Sequence, residues 1–423
     1  MNPKRIVLCL DGTWNNPYDE QQRDDGATVL RPSNTLKLAR AVSPKAADGR
    51  EQLVYYDIGV GSLADYPGTA NRLLYRADRI LGGGFAAGFE GNIEDALSFI
   101  AMNFVPGDEV FIFGFSRGAA TARAVTRFLQ WSGGVPVKSD VYFLPRLFRA
   151  YVVGRGEPAK LAEEKKAIND ELTRDRKDLL LPLQPVEVTY LGVWDTVAAL
   201  GSLAHLLRAD PDNAKRSFHV GKSPVPCVRN ARHALAIDER RLDFRPEIWT
   251  GPADPEQKIE QRWFAGVHSN VGGGYVHDGL ANITFRWILE GATKLKLDVD
   301  EAYVEFFRPF HRGTQYESQT RKYRVFEFVR GRRGKGVRQL TGHPASANLQ
   351  LDPSVIDRMR EPAEKLQAID KKSKVTKPYR PDNVIRFLAG QADLDAYLTS
   401  IGSPGPLPAD VMQRIGEIRS ERR

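Results

Sequence analysis

The segment from Glu109 to Trp131 restricts the fold more than any other part of this 423-residue chain. Glu109-Val110-Phe111-Ile112-Phe113 is a short apolar run of β-branched and aromatic residues without polar alternation. Such a run fits a strand covered on both faces, as in a parallel sheet flanked by helices. Gly114, Ser116 and Gly118 follow in Gly-x-Ser-x-Gly spacing, and a helix-forming stretch runs from there to Trp131, with Gly133-Gly134 as its stop. A strand that turns into a helix this abruptly needs minimal bulk two positions before and after the serine. The expected arrangement is a nucleophile elbow that leaves Ser116 at the carboxyl edge of the sheet.

Four other runs read as buried strands: Arg5–Leu10, Gln52–Tyr56, Val186–Val193 and Gln261–Val267. Asn92–Phe104 carries Ile93, Ala96, Leu97, Ile100, Ala101 and Phe104 at helical spacing and ends before Pro106-Gly107. The stretch around His233 also reads as helical. Strands alternating with helices predict an α/β fold, doubly wound around a mostly parallel sheet. Residues 1–300 read as one catalytic domain, with polar insertions at about 151–182 and 203–226. Residues 301–423 read as a basic C-terminal accessory region. The Lys-rich segment Leu366–Asn383 reads as an exposed connection.

Charge supports that division. The chain has 61 basic and 53 acidic residues, a net of +8, and residues 301–423, with 23 basic and 15 acidic, hold the whole excess. Arg308–Arg338 alone contains ten Lys or Arg against Glu317 and Glu327. The expectation is either a solvated basic face or a surface for an anionic partner, with a membrane favoured over nucleic acid. Arg321–Arg330 interleaves basic and aromatic residues, but the favoured reading is one alternating strand with a polar face. No apolar run has membrane-spanning length, and no apolar leader follows Met1, so a cleaved signal is not expected. Cys9 and Cys227 cannot make a disulfide framework and read as reduced core thiols.

A serine hydroxyl is a weak nucleophile and needs a base. All seven histidines follow Ser116. His268 is favoured because it ends an apolar strand and precedes Gly272-Gly273-Gly274, which let backbone pass close to a site. His277 and His233 are the rivals. Asp195, at the end of Val188–Trp194, is the favoured acid, with Asp238 as the alternative. Arg117 supplies the backbone N–H next to the serine, and Gly12 or Thr13, after the first strand, could supply a second oxyanion donor. Asp11 could order that loop. Asp-Gly-Thr also occurs in aspartate-nucleophile phosphatases, but the nucleophile position here is Cys9. A metal shared by Asp11, Asp57 and Asp195 is a weaker reading, since carboxylates at strand ends are common in this fold class.

Together these segments resemble one family. It is the α/β-hydrolases typified by the catalytic domain of type VI secretion phospholipase effectors, with stand-alone bacterial and fungal members. The resemblance rests on Leu10–Asn15, Tyr55–Gly61, Gly114–Ala120, Gly192–Val197, His233–Arg241 and Gly266–Tyr275, and covers roughly residues 4–290. It implies a Ser–Asp–His esterase or lipase, with phospholipids as substrates of the toxin members and no cofactor. It carries over Ser116 and His268, and Asp195 with Asp238 still open. It also implies secretion-machinery and immunity-protein partners if the chain is an effector, which would be exported without a cleaved signal. Otherwise the chain would act in the cytoplasm on soluble esters, or as a non-catalytic scaffold. Asn270 stands where the resemblance leads one to expect Asp.

Overall fold

The computed structural model describes residues 3–12, 20–22, 26, 28–59, 83–175, 182–197, 219–319, 336–369 and 374–421. Its centre is a seven-stranded sheet of β1 (Arg5–Leu10), β2 (Gln52–Asp57), β3 (Glu109–Phe115), β4 (Val188–Trp194), β5 (Asn230–Ala236), β6 (Lys258–Phe264) and β7 (Leu349–Leu351). The spatial order is β7-β6-β5-β4-β3-β1-β2, and every adjacent pair is parallel. Because the strands run the same way, their carboxyl ends share one edge. That edge carries Asp11, Asp57, Ser116 and Asp195.

The apolar runs lack alternation because both faces are covered. Ile6, Leu8 and Leu10 of β1, with Val110 and Ile112 of β3, pack on α2 (Gly83–Asn103) and α3 (Arg117–Ser132). The intervening Val7, Cys9, Phe111 and Phe113 pack on α1 (Asn34–Ala41) and α5 (Gly279–Thr293), α4 being the short helix His268–Gly272. This is the doubly wound α/β architecture. Lys37 of α1 is fully buried between the layers, held by Asn34, Asp278 and Asn282.

Three sequence readings change. The stretch around His233 is strand β5, not a helix: Ala231 to Ala236 are buried throughout, and central strands buried on both faces have no periodicity to distinguish them from a buried helix. The strand expected over Gln261–Val267 is Lys258–Phe264. The charged stretch after Tyr151, helix-prone as Glu157–Lys177 and with few apolar residues to bury, is the helix Pro158–Asp175, but it does bury Ile168 and Leu172 in the core. Cys9 is buried and Cys227 partly buried, both free thiols.

Part of the described C-terminal region packs directly on the sheet. β7 pairs with β6, and Leu351, Val355, Ile356, Met359, Val384, Leu388 and Val411 form a third core with Leu235 and Trp263. Among the described residues, no helix is long and apolar enough to cross a membrane. The basic-aromatic segment 321–330, and most of the insertion at 203–226, lie outside them.

Candidate active site

The strand–helix turn at Ser116 is tight. Ser116 has φ 59° and ψ −118°, a left-handed backbone that non-glycine residues adopt at a cost of about 1–3 kcal/mol. The surroundings impose it. Ser116 N–H donates to the Trp194 carbonyl at 3.0 Å, and the Ala120 and Val197 amides converge on the Ser116 carbonyl. The Ser116 side chain makes no cap bond to the helix it opens, so its hydroxyl is not committed to the first-turn amides. The Arg117 N–H belongs to that first turn, whose amides have no partner carbonyl within the helix.

Asp195 follows β4 directly, also with positive φ, 42°. Its N–H donates to Ala234 O of β5 at 2.7 Å, and its carboxylate accepts the Ala236 N–H at 3.0 Å. The carboxylate is therefore held between β4 and β5. His268 Nδ1 lies 2.6 Å from Asp195 Oδ2. The His268 ring stands between Phe115, centroids 4.7 Å apart, and Phe244, 4.9 Å apart. Phe115 immediately precedes Ser116, so the imidazole sits beside the elbow. Its other nitrogen, Nε2, is buried with no hydrogen-bond partner among the described residues.

The electrostatics follow from burial. Burial pushes His268 below its ordinary value, and the Asp195 carboxylate opposes that shift. Burial alone would raise Asp195, but Arg338 and His268 outweigh it and hold the carboxyl well below the usual carboxylate range. Glu239 accepts the His268 backbone N–H at 3.2 Å and is held down to about 2, mainly by Arg241 against the cost of burial.

The rivals have other partners. Asp238 accepts the Gly266 N–H at 2.6 Å and the Tyr379 hydroxyl at 2.9 Å, with no bond to His268. His233 links Thr196 N–H and Gln261, and burial pushes it down to about 3. His277 is half-buried in the loop past the glycines, and His205 lies outside the described residues. Asp11 accepts from the Ser33 and Tyr56 hydroxyls and from Gly12 N–H at 2.7 Å. The Gly12 amide is thus turned onto its neighbour's carboxylate, and its use as an oxyanion donor requires that bond to open. Thr13 lies outside the described residues. Asp57 accepts from Asn92 at 2.5 Å, and burial raises it to about 7. Among the described residues, no group of three or more His, Cys, Asp or Glu could hold a metal.

Asn270 has an evident local reason. Its Oδ1 accepts the Val267 and Tyr316 amides, and its Nδ2 donates to Thr314 O at 3.1 Å. An Asp there would have no donor for Thr314. The residue that sequence reading missed is Arg338. It was counted in a basic stretch, yet it is buried with both terminal nitrogens on Asp195. No spacing signal could have found a partner 143 positions away.

The family described as "T6SS, Phospholipase effector Tle1-like, catalytic domain" matches residues 4–291. The chain belongs to this family. Its similarity to individual proteins is weaker. Uncharacterized protein YEL023C of Saccharomyces cerevisiae is 26% identical over 252 residues, covering 58% of this chain and 33% of that protein. An uncharacterized protein from Pseudomonas aeruginosa has a solved structure 17% identical to this Tle1-like chain, with a TM-score of 0.40, covering 99% of this chain and 62% of that one. A Tle1 effector bound to the VgrG spike of the type 6 secretion system is 20% identical, with a TM-score of 0.33, covering 65% and 52%. The chain thus spans a third of the length of that yeast relative and about half to three fifths of those two solved chains.

Proposed function

We propose that this Tle1-like chain is a serine ester hydrolase of the phospholipase class, with Ser116 as nucleophile, His268 as general base and Asp195 as the acid that orients it. The observation that carries this reading is the 2.6 Å contact between His268 Nδ1 and Asp195, beside a serine in a strained strand–helix turn. With Nδ1–H donated to Asp195, Nε2 is the basic nitrogen. It takes the Ser116 proton as Oγ attacks the ester carbonyl, then delivers it to the leaving alcohol. The Arg117 amide, with a donor from the loop after β1, stabilises the oxyanion at about 2.7–4 kcal/mol per donor. The acyl-enzyme is released by water that His268 activates in the same way. His268 Nε2 has no hydrogen-bond partner among the described residues, and on this reading the bond to Ser116 Oγ forms in the substrate complex.

Family membership favours a phospholipid substrate and delivery into a target cell by the type VI machinery, with an immunity protein in the producer. The basic excess of residues 301–423 favours docking on an anionic membrane. The test is hydrolysis of anionic phospholipid vesicles and of short p-nitrophenyl esters by the wild type and Ser116→Ala. Vesicle hydrolysis lost in the variant supports the lipase. Activity on short esters alone makes this an esterase of soluble substrates, and activity that survives the substitution removes Ser116 from the mechanism.

A further inference from the structure

We propose that Arg338 is a positioning residue of the hydrolytic site, its guanidinium locking the Asp195 carboxylate and, through it, the orientation of His268. The proposal rests on the triad reading above and extends the site into a part of the chain that lies beyond the 4–291 family match.

The geometry is a two-point clamp. Arg338 Nη1 donates to Asp195 Oδ1 at 2.5 Å and Nη2 to Oδ2 at 2.9 Å. The same nitrogens donate to the carbonyls of Ala236, at 2.7 Å, and Phe244, at 2.6 Å. Arg338 is 5% exposed and Asp195 0%. The planar fork therefore fixes the plane of the carboxylate, which a single donor cannot do. The backbone of Arg338 is held in turn, since Asn383 Nδ2 donates to its carbonyl at 3.0 Å. With the Ala236 N–H and His268 Nδ1, the carboxylate meets four donors and has one orientation left in which to hold the imidazole.

The clamp also has an electrostatic consequence. A bare buried carboxylate strongly favours the protonated imidazole. Here His268 faces a carboxylate already neutralised by Arg338. Among the described residues, the other charged or titratable groups acting on the pair include Arg241 and Glu239, themselves ion-paired, and His233, which burial keeps neutral. Removing the Arg338 cation leaves Asp195 unbalanced against His268 and favours imidazolium. The base would then be lost at a higher pH.

The experiment uses the full chain with Arg338→Met and Arg338→Lys, checked for folding by circular dichroism and thermal melting. For Arg338→Met, kcat falls about 100-fold, the scale of a small misplacement of a catalytic group, with KM within a few-fold of wild type. The acid limb of kcat/KM moves up by about one pH unit. Arg338→Lys keeps the charge but not the fork, so kcat falls while the acid limb stays. Imidazole NMR of His268 reads the same shift without activity. A raised His268 titration in Arg338→Met supports the clamp even if Ser116→Ala shows the triad reading to be wrong. The proposal is overturned if a folded Arg338→Met retains the wild-type kcat, pH profile and His268 titration. If Arg338→Met does not fold, the Lys variant decides: wild-type kcat in Arg338→Lys means the fork positions nothing.

Discussion

Gly118 and Leu10 meet backbone to backbone: a Cβ on Gly118 would stand 2.1 Å from the Leu10 carbonyl oxygen. It would stand 2.5 Å from the Asp11 carbonyl oxygen, while a Cβ on Gly114 would stand 2.4 Å from Gly118 O. The two glycines of the elbow are therefore packing requirements that seat helix α3 on the end of β1. Gly118→Ala should force the loop at Asp11 outward and cost about 3 kcal/mol, at the upper end of overpacking effects. Urea unfolding reads this as a lower midpoint at unchanged slope. An unchanged midpoint would mean the contact relaxes freely.

Asp195→Asn keeps the shape of the side chain but replaces one carboxylate oxygen with an amide group. In a Ser–His–Asp system that change favours the wrong imidazole tautomer and costs about 10⁴-fold in kcat. Here it also places an NH₂ against the guanidinium of Arg338 or against His268. The prediction is a kcat loss of that order with substrate binding largely kept. A loss below about tenfold would argue that Asp195 is a structural carboxylate.

The pH profile should reflect the buried base. Burial lowers His268 despite the opposing carboxylate. The neutral, proton-accepting form therefore persists below pH 6.5, the usual histidine value. The acid limb of kcat/KM should lie below 6.5. A limb at 7 or above would show that Asp195 dominates the imidazole, contrary to the clamp.

His233 is a source of acid sensitivity in the fold. Its folded value of about 3 lies below the unfolded value, so the unfolded chain binds a proton that the folded chain refuses. The group costs nothing above the unfolded value. As pH falls below about 6.5 toward 3, stability is lost at up to about 1.4 kcal/mol per pH unit from this one site. Chemical denaturation of wild type and His233→Gln between pH 7 and 4 measures it. The variant should show a shallower decline, and equal slopes would exclude His233 as the source.

Asn270→Asp restores the residue expected from the resemblance but removes the donor to Thr314 O and adds a buried charge. The expected cost is about 1–3 kcal/mol, seen as a lower melting temperature. Wild-type stability would indicate that the Gly266–Gly274 loop rearranges around the new carboxylate.

The strand–helix turn at Ser116 and the parallel sheet were legible along the chain because their physical signals are local. A β-branched run covered on both faces, a glycine where backbone passes backbone, and a serine between them are properties of a few adjacent residues. Strand β5 was not legible, since its run Asn-Ala-Arg-His-Ala-Leu-Ala lacks β-branched residues, is rich in helix-forming alanine and, buried on both faces, carries no period. Asp195 was favoured as sequence because it ends an apolar strand, while Asp238 followed a stretch that read as helical; the structure places both just past the carboxyl ends of strands. Tertiary packing distinguishes them, by directing one to His268 Nδ1 and the other to Gly266 and Tyr379. Arg338 shows the same limit most clearly. Composition counts it as one of ten cations in a basic stretch, and composition alone favours solvent for such a residue. Its burial against Asp195 depends on the C-terminal segment packing over the carboxyl edge of the sheet. That is a long-range contact, in which desolvating a guanidinium is offset by four short hydrogen bonds that no local sequence pattern encodes.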